Sequence, residues 1–406
     1  MDTATPVLDD FLRLPPTYSH FNIMTFVLYV LPVVFCYLLA AVLAVVSRTR
    51  WPQIALCFIT VMLAFRAAKF LDLSMGKPER KFLNVQLVLA MFCIVQRMLE
   101  WTVVKTPLKR YLRPKGSAPA VIMDALDLAG NLRGIGWTWS KGLYVPPQSL
   151  AFDSHAMFGL HKLCSTAVYA LVCGALHAAV QSFSPDTFGS MSGGTIFDTT
   201  LPPIFCYLRS SIIVIFMAFA IYFIMQMGYA FCAFCGVVIF RQDPTQWPPA
   251  FDAPWLATSL CEFWGRRWHQ WFRRTFIVAG GYPLSLNFGR TGGILGAFLA
   301  SATFHHVALL TLNDKAKLWR MFLSFGMMGV GLLVERLFRK TTGRRVGGSL
   351  GWAWTMAWLV LWGNVMIDGW ARAGILGCSS FIDSASPVQN LVRHLVISFD
   401  TFLRMS

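Results

Sequence analysis

The sequence holds 406 residues, of which 56% are hydrophobic and 13% charged, with a mean hydropathy of +0.56. That is more apolar surface than a soluble fold of this length can cover, and the apolar runs are spread along the chain, so a soluble protein is excluded and one polytopic membrane domain over residues 1–406 is expected. The net charge of +16 excludes less, because basic residues in a membrane protein mark the loops that face the cytosol.

Runs of about 18–25 apolar residues can cross a bilayer as helices. They fall near 24–46, 54–73, 85–104, 157–181, 205–240, 292–312, 318–335 and 350–375. The predicted fold is therefore an all-α multispan bundle of about eight transmembrane helices. The first run is too long for a cleavable signal, and its leader sets Asp2, Asp9 and Asp10 against Arg13 alone, so it reads as a span. Arg66, Lys69 and Asp72 form a charged ladder in the second run, lining a cavity or making an internal ion-pair network. His161 and His177, in the fourth, lie roughly 160° apart in helical projection and are assigned packing roles. The fifth run is too long for one perpendicular crossing and is either strongly tilted or a re-entering pair. Its Cys232 and Cys235 have CxxC spacing without histidine partners or polar flanks; like most of the ten cysteines they read as small hydrophobes. In the last run Asn364, Asp368 and Arg372 recur every four residues and face one cavity, with Asp368 and Arg372 read first as a structural ion pair.

With a lumenal N-terminus and one crossing per run, the cytosolic loops 47–53, 105–156, 241–275 and 336–349 hold 19 Lys and Arg, against eight in the lumenal segments. The positive-inside rule requires that sign. Lys77, Arg80 and Lys81 in the loop 74–86 run against it. Because the basic residues are dispersed over separate loops and form no single face, nucleic acid is not an expected partner. The expected setting is a multi-pass protein of the endoplasmic reticulum, surrounded by membrane lipid.

Two clusters carry chemistry. Residues 259–274 can be drawn as one interfacial amphipathic helix, with Trp264, Trp268, Trp271 and Phe272 as an aromatic stripe and Glu262, Arg266, His269 and Arg273 opposite. The plain alternative is a membrane-anchoring helix; the histidine flanked by arginines suits an anionic substrate instead. Further on, His305 and His306 sit about two-thirds along a run of small and apolar residues. Ionisable groups at that depth are costly and usually face a cavity. His305 shares a face with Phe298, Ser301 and Ala302, whereas His306 points about 100° away, so His305 is the stronger candidate. The glycine clusters at 292–296 and 347–351 follow no strand and lack a Walker lysine, so they are assigned to packing and to a flexible loop.

These residues resemble the wax-synthase-like branch of the membrane-bound O-acyltransferases, especially fungal members that acetylate terpenoid and meroterpenoid alcohols. The resemblance rests on Trp247-Pro-Pro249 followed by Ser259-Leu-x-x-Phe-Trp-Gly-Arg-Arg-Trp-His269, on Ser301-Ala-x-x-His305, and on Arg133-Gly-Ile-Gly-Trp137. It implies a catalytic region at 241–316, His305 as the base and His269 as its assistant. Two positions depart from the family pattern: His306 stands where an acidic residue is common, and His269 where many relatives have asparagine, which makes polar positioning its expected role.

The implied reaction is acetyl transfer from acetyl-CoA, a co-substrate, to the hydroxyl of a lipophilic alcohol. A neutral base takes the hydroxyl proton and a polar group steadies the oxyanion. No permanently bound cofactor and no metal are expected. Arg266, Arg267, Arg273 and Arg274, with Trp268, are expected at a cytosolic mouth for the CoA phosphates, and Phe298, Ser301 and Asn364 beside the acceptor. Two competing readings are a long-chain acyl-CoA wax or sterol ester synthase, and a polytopic transporter or receptor. The second leaves the Trp-Pro-Pro and Phe-Trp-Gly-Arg-Arg-Trp-His segments unexplained. A prenyltransferase or terpene cyclase would need paired acidic Mg²⁺ motifs, and Asp124-x-x-Asp127 has no match.

Overall fold

The computed structural model describes residues 19–46, 50–103, 107–113, 120–148, 152, 154–312, 316–379 and 387–405. Most of the acidic leader, with Lys105 and Lys115, lies outside them. Among the described residues eight helices are long and apolar enough to cross a membrane, and the architecture is all-α apart from one two-residue parallel pair, Ser19–His20 with Leu71–Asp72. The chain divides into two units, one drawn from residues 1–143 and 270–314, the other from 144–269 and 315–406.

In the first unit α1 (Ile23–Val46), α2 (Trp51–Phe70) and α3 (Phe82–Val103) pack together, and α4 (Val121–Gly130) lies against α1. Small residues set the spacing: Ala40, Ala41 and Ala44 of α1 let Ala125 and Leu128 of α4 approach, closing a core around the buried indoles of Trp101 and Trp137. The Arg66–Asp72 ladder does not form. α2 ends at Phe70 and Leu71 is extended, which turns Asp72 off the helical face. Asp72 accepts instead from Ser74 N and Oγ, Gly76 N and Asn84 Nδ2, with His20 Nδ1 at 3.1 Å, while Arg66 lies over the Tyr29 ring. Burial pushes the Asp72 carboxyl up, but the hydrogen bonds from Ser74, Asn84 and Gly76 outweigh it and hold the group below the usual carboxylate range.

The sixth predicted span is where the fold departs most from the sequence reading. A helix starts at Arg273, well before residue 292, and the backbone breaks at Gly289, whose φ of 57° and ψ of −149° only glycine adopts without strain. The result is a helical hairpin of two arms, α5 (273–288) and α6 (290–309). A Cβ on Gly280 would land on the carbonyl of Gly296, and one on Gly296 on the carbonyl of Gly280. The arms therefore touch backbone to backbone, as glycine allows between membrane helices. α6 runs antiparallel to α3: Leu312 O lies by Lys81 Nζ at one end, and the Phe304 ring meets Phe92 halfway. The foot of the hairpin, Phe272 and Phe276, packs on that same Phe304. Gly296→Val is expected to lower stability by ~1–3 kcal/mol through overpacking, read as a fall in the thermal midpoint of the detergent-solubilised protein. Gly326→Ala, where a Cβ meets nothing among the described residues within 4 Å, should leave that midpoint in place.

In the second unit α7 (His155–Ser182) and α8 (Pro203–Phe234) pack along much of their length. α8 runs on through a π-turn, Cys235–Ile239, so the fifth run is one unbroken helix with no re-entry. Its 37 residues reach ~55 Å at 1.5 Å per residue, longer than the ~30 Å hydrocarbon layer. The unit is completed by α9 (Leu260–Arg267), α10 (Leu318–Thr342), α11 (Gly348–Arg372) and α12 (Pro387–Met405). Asp368 accepts from Thr195 Oγ1 at 2.6 Å, Ile196 N at 3.1 Å and Arg372 Nε at 2.8 Å, and pairs with Arg320, so its ion pair with Arg372 is structural as read. His177 donates through Nε2 to Leu376 O at 2.9 Å, and His161 packs on the Phe152 ring; both have packing roles.

Candidate active site

In the second unit the segment after Trp247-Pro-Pro249 is pinned before the motif helix begins. Tyr229 donates to Pro248 O, Trp247 Nε1 to Gln242 Oε1, and Tyr144 to Asp252 Oδ2. The motif helix then starts with reciprocal local bonds. Ser259 Oγ accepts from Glu262 N, and Glu262 accepts from Thr258 N and Oγ1 and from Arg267 Nε at 2.7 Å. Burial pushes the Glu262 carboxyl up, yet the bonds from Thr258 and Arg267 prevail and keep it below its ordinary value, hence ionised at neutral pH.

The continuous helix expected over 259–274 is not formed. α9 widens into a π-turn over Phe263–Arg267 and stops at Trp268, whose ψ of 150° is extended. Two contacts account for the stop: Arg267 O accepts from Asp252 N, and the Trp268 ring folds back to stack on Phe263 at 5.4 Å, against Phe251 at 5.1 Å. Trp271 and Phe272 thus leave the stripe drawn with Trp264 and Trp268, and a new helix opens at Arg273. His269 follows the stop, half-buried, with its ring edge-on to Phe251 and tilted against Trp268. π-turns of this kind interrupt helices frequently at functional sites.

In the first unit α6 carries His305. Its Nδ1 lies 2.8 Å from Ser301 O, one helical turn back. A carbonyl can only accept, so the ring N–H sits on Nδ1 and the lone pair of the neutral imidazole falls on Nε2. Ser301 is buried, His305 half-buried with the Phe304 ring edge-on beside it, and Phe298 lies two turns back on the same helix. His306 is buried.

The four arginines separate by environment. Arg267 is held by Glu262 and by the carbonyls of Asp252 and Ala253, all in the second unit. Arg274 of the first unit pairs with Glu100, a fully buried carboxylate that also receives Arg97, and lies over the Trp139 ring. Arg266 and Arg273 are exposed, and among the described residues neither is ion-paired to a carboxylate. Arg273 and Arg274 also open the hairpin, at the start of α5 and not in a loop, with Arg274 at the Glu100 end of α3. Asn364 is buried on α11, where its Nδ2 donates to Val360 O at 2.9 Å and its Oδ1 has no hydrogen-bond partner among the described residues.

One residue that the sequence reading passes over is Glu335 of α10. Buried, it accepts from Leu260 N at 2.6 Å, Cys261 N at 2.9 Å and Trp354 Nε1 at 3.1 Å. It caps the N-terminus of the motif helix from a distant part of the chain, a carboxylate at the positive end of the helix dipole. The earlier motif is a scaffold as well: Trp137 Nε1 donates to Asp127 Oδ2, Arg110 pairs with Asp127, and Gly136 takes a φ of 85° against the Leu112 carbonyl.

Residues 247–329 match the sequence model of the Membrane bound O-acyl transferase family. The chain is similar to the Long-chain-alcohol O-fatty-acyltransferase of Simmondsia chinensis, 30% identical over 28% of this chain and 37% of that protein. It is 31% identical to the O-Mevalon transferase yanI of Aspergillus niger over 40% of this chain and 36% of that protein. Acetyltransferase ple2 of Rhodocybe pseudopiperita is 24% identical over 67% of this chain and 75% of its own length. The chain thus spans well under half of the first two and three-quarters of the third.

Proposed function

We propose that this chain, which resembles the wax-synthase-like branch of the membrane-bound O-acyltransferases, transfers an acetyl group from acetyl-CoA to the hydroxyl of a lipophilic alcohol of the terpenoid or meroterpenoid class. The observation that carries the reading is His305: an imidazole on a membrane-length helix, its tautomer set by Ser301 O so that Nε2 is the basic nitrogen. Nε2 takes the proton of the acceptor hydroxyl while that oxygen attacks the thioester carbonyl. The tetrahedral oxyanion collapses, the C–S bond breaks, and the imidazolium returns its proton to the departing CoA sulfur. His269 acts as the polar assistant. Arg266 and Arg273 serve the CoA phosphates, since Arg267 and Arg274 already neutralise carboxylates. Trp268 shapes the donor side, and Phe298, Ser301 and Asn364 the acceptor side. The endoplasmic reticulum membrane suits both substrates, one arriving from the bilayer and one from the cytosol.

The plant relative gives the second reading its footing, because its name specifies a fatty-acyl transfer to a long-chain alcohol. Microsomes carrying the protein are to be given acetyl-CoA or palmitoyl-CoA with a panel of terpenoid alcohols, and esters identified by mass. Acetate esters are the expected product. Palmitate esters alone would replace the acetyl reading with the long-chain one, and solute flux in proteoliposomes with no ester from either donor would replace both with a transporter.

A further inference from the structure

The last described helix, α12, is not among the helices apolar enough to span, yet it exposes large apolar side chains. At 100° per residue its sequence sorts into three stripes. Gln389, Val396, Asp400 and Leu403 are buried against the protein. Val388, Leu391, Leu395, Phe399 and Phe402 follow one another along a second stripe and are 36–65% exposed. Asn390, Arg393, His394, Thr401 and Arg404 form the third, all exposed, with Ile397 the one apolar residue among them. The apolar and polar stripes are centred roughly 150° apart, and each adjoins the buried one.

The helix is fixed in place by charge. Asp400 pairs with the fully buried Arg209 in the opening turns of α8, and Arg404 with Asp198 in the segment that joins α7 to α8. Val396 joins Ala179, Val180 and Phe183 at the end of α7. α12 is thereby held at the end of two spanning helices, where a bilayer gives way to water. The first turns of α8 likewise expose apolar side chains, Ile204 and Tyr207, at 79% and 63%.

We propose that α12 is a membrane-surface helix whose partner is the phospholipid of the adjacent leaflet: the Val388–Phe402 stripe sinks among the upper acyl carbons, and Arg393 and His394 lie at headgroup height. Arg404 is taken up by Asp198 and Asp400, which leaves Arg393 as the cation of the exposed polar stripe, a charge that the phosphate of any phospholipid can meet. The occupant follows from position: an amphipathic helix fixed where the ends of α7 and α8 reach the bilayer surface lays its apolar stripe in lipid. The inference does not depend on the acyl-transfer reading, since it concerns only how this face meets lipid.

The full-length protein in nanodiscs of phosphatidylcholine and phosphatidylserine tests it. With the exposed Cys164, Cys232 and Cys261 replaced by serine, single cysteines at Leu395, Phe402 and Arg393 are labelled with bimane. Quenching by lipid doxylated near the headgroup is then compared with quenching by aqueous iodide. The probes at Leu395 and Phe402 are expected to favour lipid over iodide by about threefold or more, and the probe at Arg393 the reverse. Iodide quenching of all three would place the stripe in water. Protection of Leu395 and Phe402 from both quenchers would mean that protein covers it, and a Leu395–Leu395 cross-link would identify that cover as a second copy. Either result overturns the proposal. Phe402 repeats the measurement on the same stripe should the Leu395 variant not be monodisperse.

Discussion

His305→Ala is expected to abolish acetyl transfer in microsomes while the protein remains in the membrane fraction and elutes as the parent does from size exclusion. Removal of a general base costs ~10²–10⁴ in rate, enough to take ester formation below detection. The companion variants make the result specific. His306→Gln should keep most of the activity, because only the neighbouring ring has its N–H directed to Ser301 O. His269→Ala should fall severely, by about 10²-fold, and His269→Asn should recover part of the loss, since an amide can still donate a hydrogen bond to an oxyanion but cannot shuttle a proton at neutral pH. Full activity in His305→Ala would falsify the base assignment whatever the other variants did. Equal loss in His269→Ala and His269→Asn would instead assign proton transfer to that ring.

The parts of this fold that follow from local patterns were legible in the sequence. Length and apolarity placed eight helices with ends within a few residues for most, and the i, i+4 spacing of Asp368 and Arg372 was enough to read their ion pair. What escaped depends on contacts between distant segments. Residues 276–291 hold Pro283, Asn287 and Arg290 and look like a loop by hydropathy, yet they fold as a helix because Gly280 and Gly296 bring two arms into backbone contact. The helical wheel of 259–274 fails for a similar reason: periodicity has no means of showing that Asp252 N would bind Arg267 O, or that Trp268 would fold onto Phe263. Four arginines that look alike in a motif differ once Glu262 and Glu100 have claimed two of them. Glu335 carries no sequence signal as a cap at all, since the N–H groups it binds lie some 75 residues earlier.

That last residue has the second large expected effect. Replacing Glu335 with alanine removes the acceptor of two backbone N–H groups at the start of α9 and of the Trp354 indole N–H. The lost cap and the unpaired donors together cost about 2–4 kcal/mol, so the thermal midpoint should drop clearly. The functional consequence is more selective. α9 carries Arg266 and leads directly into Trp268 and His269, and its first turn is held by Ser259 and Thr258 from within the segment and by Glu335 from α10. Loosening the hold of Glu335 should raise KM for acetyl-CoA more than it lowers kcat, because the donor-side residues shift while His305, on a helix of the other unit, keeps its bond to Ser301. Glu335→Gln retains one acceptor oxygen and should restore part of both stability and KM. The exposed Cys261, whose own N–H is one of the capped groups, supplies a readout independent of turnover: its rate of maleimide labelling should rise in the alanine variant and return towards the parent value in the glutamine variant. A uniform fall in kcat with KM and labelling unchanged would leave Glu335 as a stabilising residue with no part in positioning the motif.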